Sequence, residues 1–469
     1  MKIKNKRYLN LFLKFNSILV FTSGIFLYGS ILDFNSYCEE KQLEKPLCKI
    51  FSNLSRPQAI VTEGIESIRH LVVYKTRSGM LATDIKNAKR RFDIYNSGFN
   101  FNYPIGSRKN AGYILLAFAD PNKSGSPSFE LWDLNKQSIM KSWDLSKAIK
   151  LVVNKGKKPV SYFNNPIILD DNSIVFNSNG ALFFDSGAFL IKLDKNGEII
   201  GFNDKYHFHH SINLDTNGLL YVAIREKNRT KGRGDGFAIL DQQLNILETH
   251  FIEDIYKKND MEPRLFSNNT NDPIHLNDIE PVNEKSKTKT ENVLISLRST
   301  SSVLNYDMKT GKIVWILDGL TSQQHDVDVV NIDPLEFTIF DNNLKQNELP
   351  RNKILFVRNL PLKHSNEFKD ILLISPNSTT IRSSNISFNI ENFEGLKNQL
   401  RPFTEFGGLS EYNFLDNSII VEEENHGRIF EYDIDKNKIL WTFYNATKDK
   451  DIIYRLMWSR HYMENPLNY

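Results

Sequence analysis

The chain has 469 residues, of which 40% are hydrophobic and 25% charged, and its formal net charge at pH 7 is +3. This composition is ordinary for a globular protein with a buried core, and the length fits either two or three average domains or one large all-β domain. The balanced charge and the lack of a basic stripe with interleaved aromatic residues argue against a nucleic-acid-binding protein.

The N-terminal segment differs in composition from the rest of the chain. Four of the first seven residues are basic, and residues 15–32 contain no charged residue. That uncharged segment is long enough to span a membrane. A cleaved secretory signal is the alternative, but no small-x-small cleavage site follows. Because the basic residues lie on the N-terminal side, the positive-inside rule predicts a signal anchor over 1–34 and a membrane-anchored protein whose main part is extracytoplasmic (periplasmic).

The two cysteines, Cys38 and Cys48, lie in the predicted juxtamembrane linker 35–57. In an oxidising compartment, a disulfide closing this short loop would stabilise the protein by about 3 kcal/mol. Two free thiols are the alternative. A zinc site is not expected, because no pair of histidines lies nearby in the sequence.

The remaining segment, 58–469, is predicted to form one β domain. Helical periodicity is scarce apart from a short helix predicted at 385–400, whereas short apolar runs bounded by Asp, Asn and Gly recur. Paired runs that suit β-hairpins occur at 70–74 with 79–84, 129–133 with 139–145, 188–194 with 198–202, 237–241 with 246–251, 302–307 with 312–317, and 428–433 with 438–443, and a weaker run lies at 371–375.

The hairpins repeat at intervals of roughly 50 to 65 residues, which is typical of four-stranded propeller blades with long loops. The sequence therefore predicts an all-β propeller. A β-sandwich is the alternative, although a single sandwich rarely contains this many hairpins. Trp143, Trp315 and Trp441 lie in second strands of hairpins, where they are predicted to pack between blades rather than to bind a ligand.

Candidate functional residues lie at the edges of apolar runs: His209 and His210 in FHHSIN, His275 in DPIHLN, Arg298 after VLISL, and His325 in QQHDVD. In a propeller, the innermost strands bring such positions together from different blades. Imidazole serves as nucleophile, general acid, general base or metal ligand, and arginine binds oxyanions such as sulfate or phosphate. Together with Asn277, and without a constellation of ligating carboxylates, this set predicts transfer of an anionic group.

A metal site at HxHH is the alternative use of these histidines. In a regular strand, His207 and His209 would share a face while His210 points away, so at most two of them would converge. We therefore predict no metal site. Structural roles are expected for His207, His364 and His426.

Five segments make the sequence resemble the bacterial arylsulfotransferases, enzymes that use no nucleotide sulfate donor. In chain order, between residues 200 and 462, these are FHHSINLDTNGLLYVA, DPIHLNDIEP, VLISLRSTSSVLNYDMKTGKIVWILDG, QQHDVDVVN with FTIFDNN, and GGLSEYNFLDNSIIVEEENHGRIFEYDIDKNKILWTF. The resemblance implies a six-bladed propeller outside the cytoplasm. It also implies a sulfuryl group that passes from an aryl sulfate donor to a phenolic acceptor through a sulfohistidine, without a cofactor.

The same resemblance implies roles for individual residues. His325 corresponds to the nucleophile, and Arg298 to the arginine that neutralises the sulfuryl oxygens. His275 and Asn277 correspond to residues that contact the sulfuryl group. This division is physically coherent, because a neutral imidazole is needed for attack and fixed donors stabilise the charge on the equatorial oxygens.

The resemblance assigns the remaining imidazole, His210 or less favourably His209, to protonation of the phenolic leaving group. The chain departs from the family pattern at Ser211, where aspartate is common after the two histidines, and at Asp318-Gly319, where Gly-Gly is usual. Two alternatives remain open at this point: a non-catalytic propeller that binds a protein or an anionic glycan, and a related hydrolase in which water replaces the phenolic acceptor.

Overall fold

The computed structural model describes residues 96–467 apart from 124, 157–162, 179–187, 228–233, 266–271, 284–290, 343–351, 361, 363–371, 375–389, 393–401, 403, 405–406 and 449–452. The predicted anchor, the linker with its two cysteines and the paired run at 70–84 lie outside the described residues. Within the described ranges, no helix has the length and apolar character needed to cross a membrane.

The described residues form 26 strands and a few short helices. In chain order the strands are β1 (Gly98–Phe101), β2 (Tyr113–Asp120), β3 (Ser126–Asp133), β4 (Ser138–Ser142), β5 (Asn164–Ile168), β6 (Ile174–Ser178), β7 (Phe189–Leu193), β8 (Ile199–Asn203), β9 (His207–Leu214), β10 (Leu220–Arg225), β11 (Asp235–Leu240), β12 (Ile246–Phe251), β13 (Leu276–Val282), β14 (Asn292–Leu297), β15 (Ser302–Asp307), β16 (Lys312–Asp318), β17 (Asp326–Ile332), β18 (Leu335–Asp341), β19 (Lys353–Leu360), β20 (Leu372–Ile374), β21 (Ile390–Asn392), β22 (Leu409–Asn413), β23 (Ser418–Glu423), β24 (Arg428–Asp433), β25 (Lys438–Tyr444) and β26 (Arg460–Tyr462). The helices are α1 (Ser146–Gly156), α2 (Ile252–Lys258) and α3 (Glu262–Leu265), with short 3-10 helices at Pro121–Lys123 and Glu424–His426.

The strands form six sheets, which are the blades of a β-propeller. Blade 1 has the order β26-β2-β3-β4, blade 2 is β5-β6-β7-β8, blade 3 is β9-β10-β11-β12, blade 4 is β13-β14-β15-β16-β20, blade 5 is β17-β18-β19-β21, and blade 6 is β22-β23-β24-β25-β1. The innermost strands β26, β5, β9, β13, β17 and β22 follow one another around the central axis, and the N–H of His461 on β26 donates to Glu411 on β22 where the ring closes. The prediction of a six-bladed all-β propeller is confirmed.

Packing between blades explains why the strands read as continuous apolar runs. Along β14, Val293 and Ile295 face the core shared with blade 3, while Leu294 faces the core shared with blade 5. Successive side chains of a strand point to opposite faces, so a blade that is covered on both faces needs apolar residues at almost every position. All of β14 is accordingly buried.

The three tryptophans are buried, as predicted from their positions in second strands. Trp315 of blade 4 stacks on Phe337 of blade 5, with ring centroids 5.7 Å apart and an interplanar angle of 6°. Trp441 of blade 6 packs in a core with Ile114 of blade 1. Trp143 lies in the core between blades 1 and 2.

The ring is closed by strands that are distant in sequence. β26 pairs antiparallel with β2, so that Leu115 lies opposite Arg460 and blade 1 combines the last described strand with β2, β3 and β4. β1 pairs with β25 as the outermost strand of blade 6. Closure of this kind leaves few sheet edges exposed.

Two sequence predictions are wrong for the part of each segment that the structure describes. Of the weak run at 371–375, Leu372–Ile374 form β20, which pairs parallel to β16 at the edge of blade 4 and not antiparallel as in a hairpin. The hairpin of blade 5 is instead β18–β19, which the pattern missed because the long polar segment 342–352 separates its strands in place of a tight turn. Inside the predicted helix at 385–400, Ile390–Asn392 is a strand that pairs with β19.

Candidate active site

Each blade has a residue with positive φ at or near the start of its innermost strand. These residues are Asn165 (φ 51°), His210 (φ 50°), His275 (φ 48°), Gln323 (φ 59°), Gly407 (φ 67°) and Trp458 (φ 59°). Five of the six are not glycine, although L-residues rarely adopt this conformation. Such outliers concentrate at functional sites. Two of them are candidate histidines, and His325 follows Gln323 by two positions.

The predicted histidines converge at this end of the channel, with His210 at the centre. Its ring centroid lies 5.0 Å from that of His209, 5.2 Å from that of His275 and 6.3 Å from that of His325. Trp458 closes one side, with its ring centroid 6.0 Å from that of His210. Four imidazoles from three blades therefore share one site, which the sequence predicted from strand-end positions alone.

A β-bulge in β9 brings the imidazole ring of His209 into contact with that of His210. The three residues from His209 to Ser211 lie opposite the single residue Ala223 of β10. The strand alternation expected for His207 and His209 is thus wrong at this point, and the two Nδ1 atoms of His209 and His210 lie 2.8 Å apart. Within the described ranges, no group of three or more His, Cys, Asp or Glu residues is arranged to hold a metal ion.

His325, the predicted nucleophile, is held at both ring nitrogens. Its Nδ1 lies 2.6 Å from Oδ1 of Asn342 at the end of β18. Its Nε2 accepts a hydrogen bond of 3.2 Å from the backbone N–H of Gly407. The residue is only 3% exposed. The ring is therefore rigidly placed, and its tautomer is determined by the residues around it.

Arg298 lies where β14 ends, and its position is tied to both neighbouring site segments. Its backbone N–H donates to the carbonyl of His275 at 3.0 Å, and its guanidinium donates to Oε1 of Gln323 at 2.7 Å. Burial lowers the pKa of His325, and the positive charge of Arg298 lowers it further. A planar cationic donor group therefore lies next to the predicted nucleophile, as binding of an oxyanion requires.

Asn277 is the extra residue of a second bulge, in β13 opposite β14. It is fully buried, and its amide donates to the carbonyl of Gln324 at 2.7 Å. This contact fixes the segment that leads into His325. The predicted contact of Asn277 with a sulfuryl group remains a prediction.

An acidic and basic network supports the other side of the site. Oδ2 of Asp272 lies 2.6 Å from Nδ1 of His275, and Oδ1 of Asp272 accepts from Arg225 at 3.1 Å. The guanidinium of Arg225 also binds both oxygens of Asp235, which is fully buried. Burial alone would raise the pKa of Asp272, but His275 and Arg225 outweigh it and hold that pKa below its usual range.

The electrostatics keep most of the imidazoles neutral. Burial lowers the pKa of His209 to about 4, against the opposing attraction of Asp235. Burial, followed by the neighbouring imidazoles, lowers the pKa of His210 well below its usual value. Burial and the charge of Arg298 do the same to His325. A neutral imidazole retains the lone pair that nucleophilic attack needs.

Ser211, a departure from the family pattern, has an identifiable structural role. Its Oγ accepts the backbone N–H of Ile279, which ties blade 3 to blade 4. Asp278 accepts the N–H of Val327 in the corresponding link between blades 4 and 5. The serine hydroxyl therefore provides the same kind of inter-blade hydrogen bond that a carboxylate provides in the next blade.

Of the three histidines that were predicted to have structural roles, two lie among the described residues. His426 is buried in the 3-10 helix of blade 6, and His207 is partly buried at the start of β9. His364 lies outside the described residues.

Sequence reasoning assigned no role to Asp272, Asn342, Gln323 or Trp458, which the structure places at the site. Asp272 and Asn342 lie within the segments DPIHLN and FTIFDNN that carry the family resemblance, so a signal for them was present. Arg225 had no such signal. Its importance arises from contacts with residues 10 and 47 positions away.

The sequence profile of the arylsulfotransferase (ASST) family matches residues 165–446, which is more than half of the chain. No curated protein matches. Among solved structures, the chain is similar to a protein of unknown function from Bacteroides caccae, with 11% identity, 74% of this chain and 97% of that chain covered, and a TM-score of 0.44.

Two further similar structures are the nidogen/laminin complex and the hydrazine synthase of Kuenenia stuttgartiensis. The first has 10% identity, covers 74% of this chain and 97% of that chain, and has a TM-score of 0.40. The second has 11% identity, covers 66% of this chain and 71% of that chain, and has a TM-score of 0.37. Similarity at this level says nothing about activity. The family match covers the segments that supply His210, His275, Arg298 and His325, and the chain belongs to the arylsulfotransferase family.

Proposed function

We propose that the protein transfers a sulfuryl group from an aryl sulfate to a phenol, without a nucleotide donor, through a sulfohistidine at His325. The observation that carries the proposal is the convergence of His210, His275, His325 and Arg298 at one end of the propeller channel, where burial lowers the pKa of His325 well below its usual value. Neutral imidazole supplies a nucleophile, and the guanidinium supplies a charge-assisted donor for the sulfuryl oxygens.

In the first half-reaction, the lone pair on Nε2 of His325 attacks sulfur. The N–S bond forms as the bond between sulfur and the phenolic oxygen breaks, and the departing oxygen takes up a proton. In the second half-reaction, an acceptor phenol loses a proton, its oxygen attacks sulfur and His325 is released. Donor and acceptor therefore react in separate steps, which predicts ping-pong kinetics.

Arg298 would bind the equatorial sulfuryl oxygens, whose charge it neutralises through a planar donor array. Because Gln323 holds its guanidinium and the His275 carbonyl holds its backbone, the donor is positioned before substrate arrives. Such preorganised electrostatics supply a large part of the rate acceleration in group transfer.

The test is incubation of the full-length protein with 4-nitrophenyl sulfate, followed by intact-mass analysis at neutral pH. A mass increase of one sulfuryl group that maps to His325, and that disappears when phenol is added, is the expected result. The His325→Ala variant should fold but give no adduct. His250→Ala is the matched control, since this imidazole lies on β12 away from the site. A folded wild-type protein that gives neither adduct nor 4-nitrophenol would contradict the proposal.

One contact favours a second candidate function. Gly407 N–H donates to Nε2 of His325, so attack requires this hydrogen bond to open. If it stays closed, the same donors would bind an anionic glycan or protein without turnover. Binding of a sulfated glycan measured by calorimetry, with no adduct at His325, would support this candidate. Release of phenolate that does not depend on a phenolic acceptor would instead indicate a hydrolase.

A further inference from the structure

We propose that His275 is the proton carrier of the reaction and that Asp272, held by Arg225, is the positioning residue that keeps the ring of His275 correctly oriented. This inference rests on the proposed sulfuryl transfer. It moves the role of general acid and base from His210, where the family resemblance places it, to the neighbouring imidazole.

The orientation of His275 follows from its hydrogen bond. Nδ1 lies 2.6 Å from Oδ2 of Asp272, and a carboxylate can only accept, so Nδ1 carries a proton. Nε2, on the other edge of the ring, makes no hydrogen bond to any residue that the structure describes. The side chain is 21% exposed, and its ring centroid lies 5.2 Å from that of His210. Nε2 is thus free to exchange a proton with a group bound at the site.

The other imidazoles are less suited to carry a proton. His209 and His210 share a contact between their Nδ1 atoms, so at least one of these nitrogens must be a lone-pair acceptor. His325 must keep its lone pair for attack. Burial lowers the pKa of all three. His275 differs in having a carboxylate within hydrogen-bonding distance of its ring.

Asp272 is itself fixed by Arg225. Nη2 of Arg225 donates to Oδ1 of Asp272 at 3.1 Å and to Oδ2 of Asp235 at 3.0 Å, and Nε of Arg225 also donates to Asp235. Leu276, the residue after His275, donates its backbone N–H to Asp235 at 3.1 Å. The carboxylate and the backbone next to His275 are therefore anchored to the same arginine–aspartate pair.

The charged and titratable groups that face His275 come from several elements. They are Asp272 on its own segment, Arg225 and Asp235 on β10 and β11, His209 and His210 on β9, Arg298 after β14, and His325 before β17. Among these groups, Asp272 is the one whose contact with Nδ1 sets the orientation of the His275 ring.

The proton balance is closed over the two half-reactions. In the first, the phenolic oxygen of the donor takes the proton from Nε2 of His275 as the S–O bond breaks, which leaves His275 neutral and His325 sulfated. In the second, the acceptor phenol gives its proton to Nε2 as its oxygen attacks sulfur and the N–S bond breaks. His275 ends the cycle protonated, as it began.

Leaving groups of different basicity test this role. A poor leaving group such as phenol needs the proton, whereas 4-nitrophenol leaves without much help. For Asp272→Asn we expect His325 sulfation to slow by about 100-fold with phenyl sulfate but by less than about 10-fold with 4-nitrophenyl sulfate, because general acid catalysis contributes roughly 10²- to 10⁴-fold. Equal losses for the two donors would overturn the proposal.

Two variants serve as controls for this comparison. His210→Gln should slow both donors by similar factors, and a selective loss with phenyl sulfate in that variant would return the acid role to His210. Asp204→Asn, which changes an exposed aspartate paired with Lys155, should leave both rates unchanged. Asp272→Asn is expected to fold, because Arg225 keeps its contacts with Asp235, and its thermal unfolding temperature checks this.

An experiment without substrate separates this inference from the proposed function. With ¹⁵N-labelled histidine and assignment through a His275→Asn variant, NMR reports which ring nitrogens carry protons. We expect Nδ1 of His275 to carry a proton in the wild-type protein, because it faces Asp272, and the Asp272→Asn variant to show a mixture of the two tautomers. A wild-type His275 with its proton on Nε2 alone would refute the inference. An Nδ1-protonated His275 in a protein without transferase activity would contradict only the proposed function.

Discussion

The side-chain amide of Asn342 determines which nitrogen of His325 carries a proton. Nδ2 of Asn342 donates to the carbonyls of Thr404 and Gly407, at 3.2 Å and 2.9 Å, so Oδ1 must be the atom that faces the ring, 2.6 Å from Nδ1. An amide oxygen only accepts, so Nδ1 of His325 is protonated and Nε2 has the lone pair. The nucleophilic nitrogen is thus assigned by a residue 17 positions away.

Replacement of Asn342 by aspartate should convert His325 into a poor nucleophile at neutral pH. A carboxylate on Nδ1 favours the imidazolium, which has no lone pair on Nε2. We expect the burst of 4-nitrophenol from Asn342→Asp to be about 100-fold slower than wild type at pH 7, as is common when the partner of a functional imidazole is changed. The rate should recover as pH rises and the ring loses its extra proton. A loss that is independent of pH would show that Asn342 acts only in folding.

Arg298→Lys should cost more than a conservative change normally does. Lysine keeps the charge but lacks the planar fork that contacts Gln323 and would bind two sulfuryl oxygens. We expect kcat/KM with 4-nitrophenyl sulfate to fall by about 10² to 10³. Gln323→Ala should cause a smaller loss, since it only loosens the guanidinium. Wild-type activity in Arg298→Lys would exclude a bidentate role.

Glu411, on the innermost strand β22, should make stability depend on pH. Burial and the nearby Asp328 raise the pKa of its carboxyl above the unfolded value, although Arg460 opposes them. A carboxyl of this kind is protonated in the folded protein, so its contribution is present at low pH and is lost as pH rises through the folded pKa. Glu411→Gln can still accept the N–H of His461, which now lies 2.8 Å from Oε2.

We therefore expect the unfolding temperature of Glu411→Gln, relative to wild type, to increase by about 3 °C between pH 5 and pH 8.5. Thermal unfolding followed by circular dichroism at a series of pH values measures this difference. Glu198→Gln, which changes an exposed glutamate on the surface of blade 2, is the control and should show no such trend. A constant difference across the pH range would contradict the prediction.

The N-terminal segment is predicted to anchor the protein in a membrane with its propeller outside the cytoplasm. The full-length protein should remain with membranes after a carbonate wash, and a variant that begins after residue 34 should be released. Protease added to intact cells with a permeabilised outer barrier should digest the propeller. A full-length protein that appears in the soluble fraction would refute the anchor.

Much of the fold was predictable from the sequence because its signals are local. The runs at 302–307 and 312–317 alternate with turn residues such as Gly311, and they correspond to β15 and β16. The positions of Trp143, Trp315 and Trp441 in the second strands of hairpins are also a local signal, and they predicted packing between blades. The histidines and Arg298 stood out because polar residues at the edges of apolar runs have no role in a core.

Contacts between distant residues were decided only in three dimensions. β26 completes blade 1, and β20 joins blade 4 in parallel, because each strand pairs with the edge that the closed ring leaves available. The bulge that brings the rings of His209 and His210 into contact depends on the register of β9 against β10. Sequence periodicity cannot show such a register shift.

The sequence by itself determined the propeller repeat and the residue types of the site, since apolar runs bounded by turn residues, and the chemistry of each side chain, can be read along the chain. The tertiary structure decided which imidazole is neutral and which has a carboxylate partner. His210 and His275 both have positive φ on or next to an innermost strand, but one is buried among other imidazoles and the other contacts Asp272. Burial and the sign of the nearest charge set protonation, and both depend on how the blades pack together.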